Sequence, residues 1–162
     1  MSAHVVLAVL VAGFVLVRVV GRQLIGSLVS QRALFMMPGV LLALGLFSLS
    51  SALDQASPAQ LAFLVLDCVV LIGFGLARGA SLRLTATPNG LWQKGTGTTL
   101  VLWLVTIGIR VAGGFASAAI WPHNPVSEAS LVFTIGVTLA AQSAAVYRRA
   151  ENLHIPLATQ RA

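Results

Sequence analysis

Two ionised side chains stand inside otherwise apolar runs: Asp67 within residues 61–77 and Arg110 within residues 99–121. A charge at mid-span costs about 2.5–3.5 kcal/mol on insertion scales, and by default it marks a functional site or a fixed pair. A carboxylate and a guanidinium can do either. Paired, they clamp two helices; opened to water, they can take up protons, ions or a small polar solute. At about 100° per residue, Gln60, Asp67, Phe74 and Arg78 fall on nearly one face of a helix. Thr106, Arg110, Gly113, Gly114 and Ser117 share a face of the next apolar run, and Gln142 lies toward the inner end of the last one. Gln60, Arg78, Thr106 and Gln142 therefore form a polar seam around the Asp67–Arg110 pair, facing other helices rather than lipid.

Other chemistries have less to work with. His4, His123 and His154 all lie at termini or in loops, which excludes a haem held between helices by two mid-span histidines. His4, Asp54, His123 and Glu128 match no metal-binding spacing. Cys68 is the sole cysteine, so no dithiol exchange can run within the chain. It reads as a small apolar residue pointing about 100° away from Asp67. No nucleophile, base or metal cluster converges, and the expectation is a non-enzymatic protein without cofactor or metal.

The elements that position the charges follow from composition. Of 162 residues, 57% are hydrophobic and only 9% charged, against about 25% charged in soluble domains. That inventory cannot cover a water-soluble surface and implies an all-α membrane protein. Five transmembrane spans are predicted, at about 3–20, 33–53, 59–77, 99–121 and 126–147, forming one domain over 1–149, with a polar tail over 150–162. The first has nothing basic before it and Arg18 and Arg22 after it. That is the reverse of a signal peptide, so it reads as a retained helix. Residues 23–32 read either as a short interfacial helix or as a continuation of that span. Pro38 either kinks the second span or marks its first turn. Small residues at spacing of four (Gly39/Ala43, Gly108/Ala112/Ala116, Gly136/Ala140/Ala144) permit close helix approach. The span over 99–121 has two small faces and is expected at the centre of the bundle.

Charge sets the expected orientation. With the N-terminus outside and the C-terminus inside, Arg18, Arg22, Arg32, Arg78, Arg83, Lys94, Arg148, Arg149 and Arg161 all fall inside, and no Lys or Arg falls outside. The positive-inside rule then holds throughout. The net charge of +6 is spent on these loops, not on nucleic acid. Nine of the ten basic residues are arginine, which together with abundant Ala and Val suggests a bacterial origin and hence the cytoplasmic membrane. Counting about 1.5 Å per residue from the outer ends puts Asp67 and Arg110 within roughly one turn in depth on antiparallel neighbours.

Residues 78–97 form the sizeable extramembrane segment. Leu82, Leu84 and Ala86 alternate with Arg83, Thr85 and Thr87, and Asn89-Gly90 is a strong hairpin turn because it accepts positive φ. Leu91, Trp92 and Gln93 make the returning strand. A lone hairpin is marginal in water, so this one is expected against the cytoplasmic membrane surface, with Trp92 at headgroup depth and Arg83 and Lys94 meeting anionic lipid.

The run Gly75-Leu76-Ala77-Arg78-Gly79, the hairpin from Leu82-Arg83-Leu84 through Asn89-Gly90-Leu91-Trp92-Gln93-Lys94-Gly95, and Ile109-Arg110 resemble the CcdC-like proteins. These are small bacterial multi-pass membrane proteins, largely of unknown function, named for a member encoded beside cytochrome c biogenesis genes. The resemblance spans about residues 60–115 and implies no catalytic residue. The single cysteine departs from any thiol-disulfide role, so a link to cytochrome maturation would be accessory. The resulting expectation is a scaffold or accessory subunit of a membrane complex, in contact with anionic lipid and with a homo-oligomeric or membrane-protein partner. The alternative is a small oligomeric transporter or channel using the Asp67–Arg110 seam.

Overall fold

The computed structural model describes residues 13–14, 17–18, 21, 25–88, 90–121 and 124–154. In chain order the elements are β1 (Ser27–Leu28), α1 (Gln31–Leu53), α2 (Pro58–Ser81), β2 (Arg83–Thr87), β3 (Gly90–Lys94), α3 (Gly97–Ile120) and α4 (Pro125–Asn152). Among the described residues, four helices, not five, are long and apolar enough to cross a membrane. Of the predicted first span, residues 13–14 and 17–18 are helical; the rest of it lies outside the described residues.

The helix starts are written in the sequence. Ser57 accepts from the Gln60 backbone N–H at 3.3 Å while the Gln60 side chain accepts from the Ser57 N–H at 3.0 Å. This reciprocal box satisfies two donors that a helix start leaves unpaired, with Pro58 as first helical residue. Thr96 and Thr99 build the same box at α3, and Asn124 caps α4 ahead of Pro125. Pro38 sits inside α1, not in its first turn. The helix α2 runs to Ser81 and α4 to Asn152. Arg78 is thus a helical residue rather than the start of a loop, and the tail begins later than residue 150.

Packing places α4 at the centre, between α1 and α2. Four glycines make the close approaches. A Cβ on Gly45 would collide with the Phe133 backbone, on Gly75 with the Thr138 carbonyl, on Gly79 with Ala145 and the Gln142 carbonyl, and on Gly136 with Leu42. The expected centrality of the span over 99–121 is corrected: α3 lies at the side of the bundle, packed mainly on α2. Gly108 and Gly114 have nothing within 4 Å of a built Cβ. Small residues permit close approach without compelling it. Here the long side chains of Trp103 and Arg110 span the space between α3 and its neighbours.

A second correction concerns the hairpin. It is part of a three-stranded antiparallel sheet in the order β1-β3-β2. Residues 27–28, expected to be helical, pair with Trp92 and Gln93. The chain reaches β3 through Gly26 at φ +87°, and a Cβ there would meet the Trp92 indole at 2.8 Å. Gly90 has φ +116°, the conformation its turn position requires; Asn89 lies outside the described residues. The sheet seats Leu82, Leu84 and Leu91 against Val29, Leu34, Val146 and Ala150. The hairpin's inner face is therefore held by the ends of α1 and α4 rather than left to the membrane surface alone.

Candidate functional site

The polar residues of the interior form a column between α2, α3 and α4, with three arginines as cross-members. The first is Arg110 of α3. Its Nη1 donates to Asp67 Oδ2 of α2 at 2.5 Å and its Nη2 donates to Ser130 Oγ of α4 at 3.1 Å. The side chains are 22% (Arg110) and 11% (Asp67) exposed, so the pair is mostly but not wholly withdrawn from its surroundings. The Ser130 hydroxyl in turn donates to the Ser127 carbonyl. Three helices are therefore tied at one point by charge-assisted bonds, the stronger class of hydrogen bond.

The exposed fraction of the pair opens into a small cleft at the end of the bundle away from the sheet. Gln60, Phe63, Leu64, Asp67, Arg110, Asn124, Val126, Ser127 and Ser130 line it, with room for about one water molecule. Phe63 and Trp121 meet edge-to-face beside it, ring centres 6.0 Å apart. Asn124 donates to Ser117 Oγ at 2.8 Å, tying the start of α4 to the end of α3.

The second arginine is Arg78, 0% exposed although it lies in the last turn of α2. Its Nη2 donates to Thr138 Oγ1 at 2.6 Å and its Nη1 to Thr106 Oγ1 at 3.4 Å. The guanidinium lies 3.9 Å from the centre of the Trp103 ring, a cation–π contact. Among the described residues it has no carboxylate partner. Both threonine hydroxyls donate to backbone carbonyls, Thr106 to Leu102 and Thr138 to Leu71. They are therefore oriented to accept from the guanidinium. Arg78 Nε and the nearby Gln142 Oε1 are buried without a hydrogen-bond partner. Gln142 sits one turn beyond Thr138 and packs its backbone on Gly75 and Gly79.

The third arginine was not singled out by the sequence. Arg149 of α4 donates from Nη1 to the carbonyls of Gly79 and Leu82, both at 2.8 Å. It caps the end of α2, where helix carbonyls lack partners. Ser81 Oγ and Thr99 Oγ1, 2.8 Å apart, join the two ends of the hairpin at the same level.

The predicted residues thus separate into two groups. Asp67, Arg110, Arg78 and Thr106 meet directly or through α4. Gln60 belongs to the cleft, and Gln142 to the Arg78 level. Arg83, Trp92 and Lys94 stand apart on the sheet, and Gly90 belongs to its turn. Ser130 and Thr138 were missed, although with Thr134 they recur every four residues along α4, a visible stripe of hydroxyls facing the two arginines. No protein-family profile, curated protein or solved structure matches the chain, so geometry alone carries the functional argument.

Proposed function

We propose that the protein is a non-enzymatic integral membrane protein acting as a scaffold or accessory subunit of a membrane complex. It would reside in the bacterial cytoplasmic membrane, sheet end inside and opposite end outside. Its likeness to the CcdC-like proteins belongs to the same proposal. The observation that carries the reading is the satisfaction of the interior charged and hydroxyl groups by one another, Arg78 Nε and Gln142 Oε1 excepted. Arg110 donates to both Asp67 and Ser130, as Arg78 does to Thr106 and Thr138. The cleft beside Asp67 and Arg110 has room for about one water. Such an interior works as a clasp. Outside it, α1, α2 and α3 present large apolar side chains, among them Phe47 at 82% and Phe115 at 75% exposure, to lipid or to a partner helix.

Purification from native membranes in mild detergent tests this. A membrane protein that co-purifies at fixed stoichiometry is the expected result. A second reading, a small oligomeric transporter or channel, is favoured by the unpartnered Arg78 Nε and Gln142 Oε1 along the column. Under that reading the purified chain alone, as a homo-oligomer in liposomes, carries a pH-dependent solute flux that Asp67→Asn abolishes.

A further inference from the structure

The clasp does not use the outer face of the sheet. In register, Arg83 of β2 stands opposite Lys94 of β3, and in the row beside them Thr85, Trp92 and Leu28 stand side by side across the three strands. Side chains alternate along a strand, so these five residues share one face. The other face carries Leu84 and Leu91, packed on the bundle. Arg83 and Lys94 are exposed, and neither forms a salt bridge with a described residue.

Like charges directly opposite one another destabilise a β-ladder. The register holds them there, so an anion between them would remove the conflict. The neighbouring groups narrow down which anion. The Trp92 indole lies against Gly26, where even a methyl group would collide with it, and so is fixed in place beside the cations. Leu28 at 39% and Ile25 at 80% exposure extend an apolar edge from the indole. An apolar edge, a tryptophan and paired cations on one face are the groups that suit the acyl-chain, glycerol and phosphate levels of a bilayer surface. The helices place the sheet at that depth, because β2 and β3 connect α2 directly to α3, two helices with the length and composition of membrane spans.

We propose that this face binds the headgroup of an anionic phospholipid, with Arg83 and Lys94 on its phosphate oxygens and Trp92 packed at the level of the glycerol. The proposal rests on the helices crossing a bilayer and is independent of whether the protein is a scaffold or a transporter.

The test is native mass spectrometry of the full chain in mild detergent, titrated with phosphatidylglycerol, phosphatidylcholine and inorganic phosphate. The expected result is preferential binding of phosphatidylglycerol. Arg83→Gln/Lys94→Gln should weaken it about 25-fold, about fivefold per cation, with phosphatidylcholine binding unchanged. Arg32→Gln/Arg148→Gln removes two exposed cations outside the sheet and should cost less than fivefold. Three results would overturn the proposal: an unchanged preference in the sheet variant, an equal loss in the off-sheet variant, or inorganic phosphate binding as tightly as the lipid. All four substituted side chains are exposed, so loss of folding does not confound the comparison.

Discussion

The Asp67–Arg110 pair makes a quantitative prediction about coupling. Asp67→Asn leaves the Arg110 cation between α2, α3 and α4 with only neutral acceptors; Arg110→Leu leaves the Asp67 carboxylate without a donor. Breaking one partner of a withdrawn ion pair costs about 3–5 kcal/mol, because the remaining charge stays uncompensated. Removing both charges together is different. The Ser130 hydroxyl still donates to the Ser127 carbonyl, and position 67 lines the cleft, where a neutral amide can reach water. The double variant should then cost about as much as one single variant or less. Additivity would require about 6–10 kcal/mol, so the expected coupling energy is about 3 kcal/mol or more, roughly a hundredfold in the unfolding constant. The assay is reversible unfolding in mixed detergent micelles for the wild type, both single variants and the double variant. Additivity within about 0.5 kcal/mol, as for independent sites, would refute the direct clasp.

Two further outcomes follow from the same packing. Arg78 is buried without a carboxylate, and Thr106 and Thr138 keep their backbone acceptors if it is removed. Arg78→Met should therefore stay within about 1 kcal/mol of wild type, whereas Arg78→Ala adds a cavity and should lose about 2–5 kcal/mol; the same micelle titration ranks them, and Met falling below Ala contradicts the account. Gly75→Ala drives a methyl group into the Thr138 carbonyl and should destabilise by about 1–3 kcal/mol, while Gly108→Ala, with open space around it, should change stability by less than about 0.5 kcal/mol. Melting of purified variants followed by circular dichroism compares the two, and equal effects would contradict the packing described.

What the sequence made legible depended on contrast. Asp67 and Arg110 stood out because each is a lone charge in an apolar run, and antiparallel spans put them at one depth. The hairpin was legible from alternation and its Asn-Gly turn. Arg78 reads in two ways, on the polar face of its helix, where it lies, and as the first cation of the extramembrane segment, where the positive-inside pattern puts it. Only the tertiary cage of Thr106, Thr138 and Trp103 draws it inside and carries α2 a turn further. The strand β1 has two residues, too few to show a period of two, and its existence depends on the edge that β3 offers. Centrality was misassigned because α3 and α4 both carry small residues at fourfold spacing. What decides between them is which glycines meet a backbone, and Gly136 does while Gly108 does not.

The central claim is that the polar column is a closed clasp rather than a path, and one side chain probes it directly. Thr134 is 1% exposed and sits on α4 midway between Ser130 and Thr138, the two hydroxyls that receive Arg110 and Arg78. With Cys68→Ala removing the sole native thiol, Thr134→Cys reports whether water reaches the column. In native membranes a small hydrophilic thiosulfonate reagent should leave this thiol unmodified from either face, with full modification only after denaturation in SDS. Rapid modification in the folded, membrane-embedded protein would contradict the clasp and favour a conducting path.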